Sequence, residues 1–215
     1  MKKHFLSFAA ILAPFLLTST TLFSQGFEGS IDFRKIGAFD TTKYIYYVKG
    51  NQVRIDEIGS NKVVAGSMLI DLKTTTGKSV SPERKLYMDL EKGKPNNVSA
   101  DQVKIEKGKE VKKIAGYTCN EVIVKNTEQN TIVTYYIAKD NFHFLKGVIS
   151  TLNRKDKSSM YYQTIAGNDN SFPFLSIETD LAGTRKSTLE VTNVNKHKIE
   201  DKVFLMPAGF KKFEK

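Results

Sequence analysis

Two β-rich runs within residues 112–138 constrain the fold of this chain more than any other feature. The first run covers residues 117–125 and the second residues 131–138, and valine, isoleucine, threonine and tyrosine dominate both. Side chains of these types favour strands. The stretch between them, residues 126–130, is short and polar. The sequence therefore predicts a hairpin at the centre of an antiparallel sheet, with the other strands on either side.

A second hairpin is predicted at residues 41–48 and 52–58. Gly50-Asn51 between these runs suits a two-residue turn with positive φ. This turn places an apolar face opposite a mixed face, on which Arg54 and Asp56 are interpreted as an ion pair facing solvent. The predicted cross-strand pairs are Val48 with Val53, Tyr46 with Ile55, Tyr47 with Arg54, and Ile45 with Asp56.

The remaining elements follow from changes in hydrophobic period. A helix is predicted at residues 141–153, capped by Asp140, because apolar residues recur there at helical spacing. A second short helical segment is expected within residues 159–166, and residues 74–84 and 91–100 are expected to be polar connections. Further strands are predicted at residues 27–34, 67–73, 85–90, 101–113, 173–181 and 185–195. The lysine-rich run at residues 101–113 is expected to be a short strand at a sheet edge.

The last hairpin is predicted to turn at Ala182-Gly183-Thr184. A three-residue loop fixes a register that agrees in packing and in charge. The tail is expected to anchor the chain end through Phe204, Pro207 and Phe210. The predicted pairs of the last hairpin are Ile177 with Leu189, Leu175 with Val191, and Asp180 with Lys186.

About nine strands with one helical interruption predict a mainly β (α+β) fold. A sheet of this length must curl or close. We expect a strongly curved antiparallel sheet that forms an unclosed half-barrel, with one or two helices over its concave face.

Residues 1–25 have the pattern of a secretory signal peptide. Lys2 and Lys3 precede an apolar run at residues 5–17, and a small and polar run follows, with cleavage expected near Ser24 or Gln25. Residues 26–215 are then expected to form a single half-barrel domain of an exported protein, located in the periplasm, at the outer membrane or outside the cell. Removal of the two lysines takes the formal charge from +10 to +8, which favours anionic partners. The lysines are spread along the chain, mostly near turns, so a solvated surface is the preferred explanation of this charge.

No catalytic or metal-binding motif accompanies this pattern. Cys119 is the single cysteine and is interpreted as a buried thiol, while His143 and His197 have no ligand-type neighbours at metal spacing. The sequence contains no glycine-rich phosphate loop, nucleophile elbow or nucleic-acid-binding motif. We therefore expect no enzyme, no metal, no cofactor and no nucleic-acid partner.

The predicted concave face provides a candidate site for a hydrophobic ligand. Its apolar strand positions must be covered by the helix, and a gap between helix and sheet would accept an acyl or lipid-like molecule. The alternative is a structural or protein-interaction module of the cell envelope with a filled core. Empty volume beneath the helix would favour the first function, and the oligomeric state is left open. The candidate ligand-binding residues are Tyr44, Tyr46, Val48, Val53, Ile55, Phe142, Leu145 and Ile149.

Five segments resemble an exported bacterial family of unknown function. They are YYVKGNQVRID, SMLIDL, KLYMDL, KKIAGYTCNEVIV and VFLMPAGFKKF, which together span most of the chain after residue 26. That family is similar to the outer-membrane lipoprotein carriers (LolA-like and LolB-like), so the resemblance implies an unclosed β-barrel with helices over an apolar cavity. It also implies a lipid or acyl ligand and a peripheral contact with the membrane or another envelope component. Unlike those carriers, this chain enters a strand almost directly at Phe27, and it has no lipid-attachment cysteine.

Overall fold

The structure, a computed structural model, describes residues 26–91 and 98–214 as twelve strands and two helices. The signal peptide expected at residues 1–25 lies outside the described residues, as does most of the connection expected at residues 91–100. The helices are α1 (Phe144–Leu152) and α2 (Lys157–Tyr162), and short 3-10 turns cover Ala100–Gln102 and Asp201–Phe204. The strands are β1 (Gly29–Ile36), β2 (Thr41–Lys49), β3 (Gln52–Ile58), β4 (Val64–Asp71), β5 (Thr76–Ser81), β6 (Leu86–Asp89), β7 (Lys104–Ile114), β8 (Tyr117–Asn126), β9 (Thr131–Lys139), β10 (Ser171–Thr179), β11 (Arg185–Lys196) and β12 (Lys211–Lys212).

All twelve strands form one sheet built from two consecutive meanders. The order is β12-β6-β5-β4-β3-β2-β1-β11-β10-β9-β8-β7, so β1 and β11 join the two halves, and only β12 pairs in parallel. The sheet is not closed, because β7 and β12 lie at opposite ends of this order. The expected mainly β fold with an unclosed half-barrel is confirmed.

The chain length between β6 and β7 requires this sheet to curl. The two strands are ten interstrand steps apart, about 48 Å in a flat sheet. Lys104 follows Asp89 by 15 residues, which reach about 52 Å when fully extended. We call the end of the sheet where β1 finishes the upper end. The connection leaves β6 at the lower end and enters β7 at the upper end, so it must also cross the length of the strands. In a flat sheet this diagonal distance would exceed the reach of the connecting chain.

The hairpin of β8 and β9 forms as predicted, but it is not central. In the sheet, β7 alone lies on one side of this hairpin, and nine strands lie on the other side. Local β propensity defines a hairpin without fixing how many strands join each side of it. The edge position expected for residues 101–113 is confirmed by β7.

The prediction that residues 74–84 are only a connection is wrong, because they contain β5. This strand, TGKSVS, carries a single large apolar residue, Val80, so its sequence lacks the alternation of a strand. Pairing with β4 and β6 on both sides holds it in the sheet. The two-residue β12 was also not predicted.

The register of the last hairpin differs by one residue from the prediction. Ile177 lies opposite Thr188 and Leu175 opposite Glu190, because a bulge interrupts the pairing between Glu178 and Thr179. A bulge adds one unpaired residue and shifts every pair beyond it. The expected Asp180–Lys186 ion pair still forms, at 3.0 Å.

Both helices are present, but the cap of α1 differs from the prediction. His143 occupies the cap position of α1, and the Asp140 carboxylate instead accepts a hydrogen bond from the Asn141 N–H at 2.8 Å. Helix α2 begins two residues before the expected segment because Asp156 caps it, accepting from the Ser159 N–H at 3.0 Å.

The C-terminal segment covers the convex face of the sheet. Phe204 is buried there, and Arg54 donates to the Val203 carbonyl at 3.1 Å. The interpretation of Arg54 and Asp56 as a solvent-facing pair is therefore wrong. Their 2.7 Å ion pair is largely buried, and Asp56 also accepts from the Ser67 hydroxyl at 2.6 Å. The sequence did not indicate this burial because the segment that covers the pair lies some 150 residues away along the chain.

Candidate ligand-binding site

The concave face is built as the Gly50-Asn51 turn dictates. Val48 lies opposite Val53 and Tyr46 opposite Ile55. Val48, Val53 and Ile55 belong to the core together with the buried residues of α1. Six of the eight candidate residues are almost fully buried, namely Val48, Val53, Ile55, Phe142, Leu145 and Ile149. Tyr44 and Tyr46 are partly buried and pack against this core.

An aromatic cluster fills the lower part of the concave face. Phe142, which precedes α1, lies at its centre and is fully buried. Its ring centroid is 5.2 Å from that of Phe27, 5.5 Å from Phe172 and 5.8 Å from Phe174. These tilted and edge-to-face contacts are favourable aromatic geometries. No ligand can occupy this part of the face without displacing the rings.

A small cavity remains between α1, α2 and the sheet. Its volume is about 60 Å³, and Tyr46, Leu145 and Ile149 line it. The other candidate residues lie elsewhere: Val48, Ile55 and Phe142 pack in the core, Tyr44 lines a hollow at the upper end, and Val53 lines one at the lower end. The remaining lining residues are Phe33, Val148, Leu152, Arg154, Ser158, Ser159, Tyr162, Phe172, Pro173, Ser176 and Leu189.

Sequence reasoning missed the polar end of this cavity. Arg154 lies in the link between the helices and forms an ion pair with Asp156 at 3.0 Å. The link carries no periodic pattern, so its sequence gives no sign that Arg154 turns inward. Phe33, in contrast, could have been found from the alternation in the first strand, where Ile31 and Phe33 are both buried.

Charges at this end keep their ordinary states at neutral pH. Burial raises the pKa of Tyr46 to about 12, so its hydroxyl remains a neutral donor. Burial lowers the pKa of Arg154, but Tyr46 and Asp156 outweigh it and leave the pKa raised. Burial alone would raise the pKa of Asp156, but Arg154 and Ser159 outweigh burial and leave the pKa lowered. The polar groups that line the cavity thus include the Arg154 guanidinium and the Tyr46 phenol.

The cavity is too small for an acyl chain in this conformation. A volume of 60 Å³ corresponds to about two water molecules, whereas ligand pockets usually reach about 300 Å³ or more. A larger hollow of about 470 Å³ lies between the lower ends of β3–β5 and the C-terminal segment, lined partly by Leu69, Phe204 and Met206. It is open to solvent, and its polar lining includes Lys78 and Asp89, which already pair with each other at 2.9 Å.

Within residues 26–91 and 98–214, no three histidine, cysteine, aspartate or glutamate side chains cluster so that they could hold a metal ion. Over the same residues, no helix is long and apolar enough to span a bilayer.

Comparison with known proteins identifies a family and a fold. Residues 27–210 match the Domain of unknown function (DUF4412). A search of curated proteins found no match. An uncharacterized conserved protein from Thermus thermophilus has a similar structure, with a TM-score of 0.54 and 7% identity over 89% of this chain and 91% of that chain.

Two structures of MucB are also similar. MucB alone gives a TM-score of 0.52 with 10% identity over 86% of this chain, which spans 58% of the MucB chain. MucB in the Pseudomonas aeruginosa MucA/MucB complex gives 0.51 with 10% identity, over 86% of this chain and 56% of that chain. A putative outer membrane lipoprotein-sorting protein domain from Vibrio parahaemolyticus gives 0.31 with 10% identity, over 82% of this chain and 87% of that chain. The open sheet of this chain confirms the unclosed half-barrel expected from the resemblance, and the likeness to the Thermus protein and to MucB agrees with it.

Proposed function

The chain belongs to the DUF4412 family, and from its half-barrel we propose that it is an exported, non-catalytic envelope protein that binds an acyl or lipid-like ligand as a carrier or sensor. The observation that carries the proposal is the apolar cavity beneath α1, which Arg154 and Tyr46 line in part. A long apolar tail with one anionic headgroup has the matching chemistry. The tail would leave water, and the headgroup would pair with the guanidinium.

Binding requires α1 to move away from the sheet. Near its middle the helix packs closely on the turn after β4, where Gly147 faces the Leu72 side chain. An added Cβ at Gly147 would lie 3.0 Å from a Leu72 methyl group, so the helix approaches closely here because the glycine has no side chain. We propose that this contact separates when a ligand enters and re-forms when it leaves.

The alternative function, a protein-interaction module, is favoured by a different observation: side chains of the protein itself fill nearly all of the concave face. MucB, which shares this fold, has been determined in complex with MucA, so the fold in that protein accommodates a protein partner. In this alternative, the chain is an interaction module of the envelope and α1 stays closed.

A disulfide across the Gly147–Leu72 contact distinguishes the two functions. In the variant Leu72→Cys with Gly147→Cys, a disulfide between the two facing positions would lock α1 to the sheet. Cys119, the single native cysteine, is fully buried and should not compete. Binding of a fluorescent fatty acid would be titrated on the same sample before and after reduction.

We expect the oxidised variant to bind at least tenfold more weakly than the reduced one. Equal micromolar binding in both forms would place the ligand elsewhere, and no binding by the wild type would favour the interaction module. Mass measurement and circular dichroism would verify that the disulfide forms and that the fold is kept. Arg154→Gln should weaken binding of an ionised fatty acid but not of the fatty alcohol of equal length. The matched control is Lys155→Gln, which removes the exposed neighbouring charge.

A further inference from the structure

Three exposed apolar side chains occupy the tips of hairpin turns. Phe39, between β1 and β2, is fully exposed, with a relative accessibility of 102%. Val63, between β3 and β4, is 60% exposed, and Leu181, between β10 and β11, is 38% exposed. Single exposed apolar residues are common on protein surfaces, so their arrangement decides whether they matter.

The three turns lie side by side at the upper end of the sheet. Ile36 at the end of β1 pairs with Thr41 and with Thr188, which places the β1–β2 and β10–β11 turns at the same end. Ile58 pairs with Val64 at that end too. The strands β4-β3-β2-β1-β11-β10 are consecutive in the sheet. We call Phe39, Val63 and Leu181 the apolar rim.

Hydrogen bonds within the turns hold the rim in place. The Gly37 N–H donates to the Asp40 carbonyl at 2.8 Å, and the Val63 N–H donates to the Asn61 side chain at 3.0 Å. The Asp180 carboxylate accepts from the Thr184 N–H at 2.8 Å. The apolar tips are therefore presented on ordered turns, and insertion would cost little ordering entropy.

The cations around the apolar rim are mostly unpaired. Among the described residues, no carboxylate forms an ion pair with Lys43, Lys62, Arg84, Lys85 or Arg185, whereas Lys186 pairs with Asp180. Acidic neighbours at this end include Asp40, Glu57 and Glu83. Several lower-end lysines are neutralised instead, in the pairs Lys49–Asp201, Lys146–Asp169 and Lys196–Asp140.

We propose that the apolar rim docks the upper end of the half-barrel onto an anionic bilayer surface. Phe39 would insert first, with Val63 and Leu181 beside it, while the unpaired cations contact the headgroups. Separate apolar tips with basic flanks fit a fluid interface, which closes around each tip. This proposal does not depend on a ligand beneath α1, so either can hold without the other.

Tryptophan substitution tests insertion directly, because the chain contains no tryptophan. The emission of Phe39→Trp should shift to the blue on adding phosphatidylcholine vesicles that contain phosphatidylglycerol. The control is Leu205→Trp in the C-terminal segment, where the native side chain is 62% exposed beside the hollow at the lower end, and its emission should not shift. No shift for Phe39→Trp, or equal shifts for both variants, would overturn the proposal.

Vesicle sedimentation measures how much the apolar rim and the surrounding cations each contribute to membrane binding. Phe39→Ser should weaken binding about tenfold, as expected when one aromatic side chain no longer leaves water, while Leu205→Ser at the lower end should bind like the wild type. Lys43→Gln with Arg185→Gln should weaken binding and reduce its salt dependence. Lys73→Gln with Lys139→Gln, both exposed at the lower end, should not. Wild-type protein that fails to sediment with anionic vesicles would exclude a bilayer partner and leave the apolar rim to a protein.

Discussion

Cys119 in β8 illustrates how completely this core excludes water. Its side chain is fully buried, and burial raises the pKa of its thiol to about 11. Because the thiolate is the reactive form, we expect no labelling by a thiol reagent under native conditions and rapid labelling in denaturant. Cys119→Ala should reduce the free energy of unfolding by about 1 kcal/mol through the void it leaves. Fast native labelling would contradict the buried position.

Two tyrosines beside the cavity predict a loss of stability at alkaline pH. Burial raises the pKa of Tyr46 and of Tyr162 to about 12, from 10 when exposed. A raised pKa in the folded state stabilises the protein fully below pH 10, and this stabilisation is lost as the pH rises through about 12. Melting temperature should therefore fall over this range. Tyr46→Phe should lessen the fall, because the substituted side chain has no hydroxyl to ionise.

At the scale of single residues, sequence reasoning succeeded where local spacing decides the outcome. The pairing of Val48 with Val53 follows from the Gly50-Asn51 turn, and both side chains are buried as expected. Arg154 could not be predicted, since its inward position depends on how two helices meet. The cavity itself is a property of packing, to which no sequence pattern corresponds.

At the scale of elements, the Arg54–Asp56 pair is a test of what the C-terminal segment contributes. Only 5% of the Asp56 side chain and 21% of the Arg54 side chain are exposed. Breaking a buried pair leaves an uncompensated charge. Asp56→Ala should therefore lower the free energy of unfolding by about 3 to 5 kcal/mol in a denaturant titration.

The matched control is Lys104–Glu106, a pair with the same spacing of two residues along a strand. Its side chains are 74% and 52% exposed. Glu106→Ala should change the free energy of unfolding by no more than about 0.5 kcal/mol. Similar effects of the two substitutions would mean that the C-terminal segment does not shield Arg54 and Asp56 in solution.

Strands were predicted correctly where their own sequence shows apolar alternation and a clear turn. The hairpins of β2 with β3 and of β8 with β9 have both alternation and a clear turn, and both were found. The strand β5 lacks both features: its two buried positions, Gly77 and Val80, are three residues apart and do not alternate. It forms because the neighbouring strands pair with it. The bulge at Glu178 shifted the register of β10 and β11 by one residue from the one predicted from apolar and charged pairs.

At the scale of the whole molecule, the expected signal peptide predicts processing on export. Protein recovered from the cell envelope should have the mass of a chain that begins near Gly26. Replacing Lys2 and Lys3 by glutamate should cause the full-length precursor to accumulate in the cytoplasm. Envelope protein that retains residues 1–25 would contradict the prediction.

The curved, open form of the sheet was predictable from strand number, but its internal arrangement was not. Many strands with alternating faces and one helical interruption lead to a half-barrel because a long sheet cannot stay flat. Which strands meet in the middle depends on contacts between the two ends of the chain. No local pattern encodes the pairing of Gly29 with Lys196.

The pairing of β1 with β11 has a consequence for the timing of folding. Synthesis delivers β1 first, yet its partner on one side, Arg185–Lys196, is among the last segments to emerge. Until then β1 has an open backbone edge, and so does the nascent meander β1–β6. Closing a loop of this length is slow compared with forming local hairpins. Refolding should thus show early hairpin formation and a late step that joins the two halves, and in that interval the unpaired edge is where a chaperone would protect the chain from aggregation.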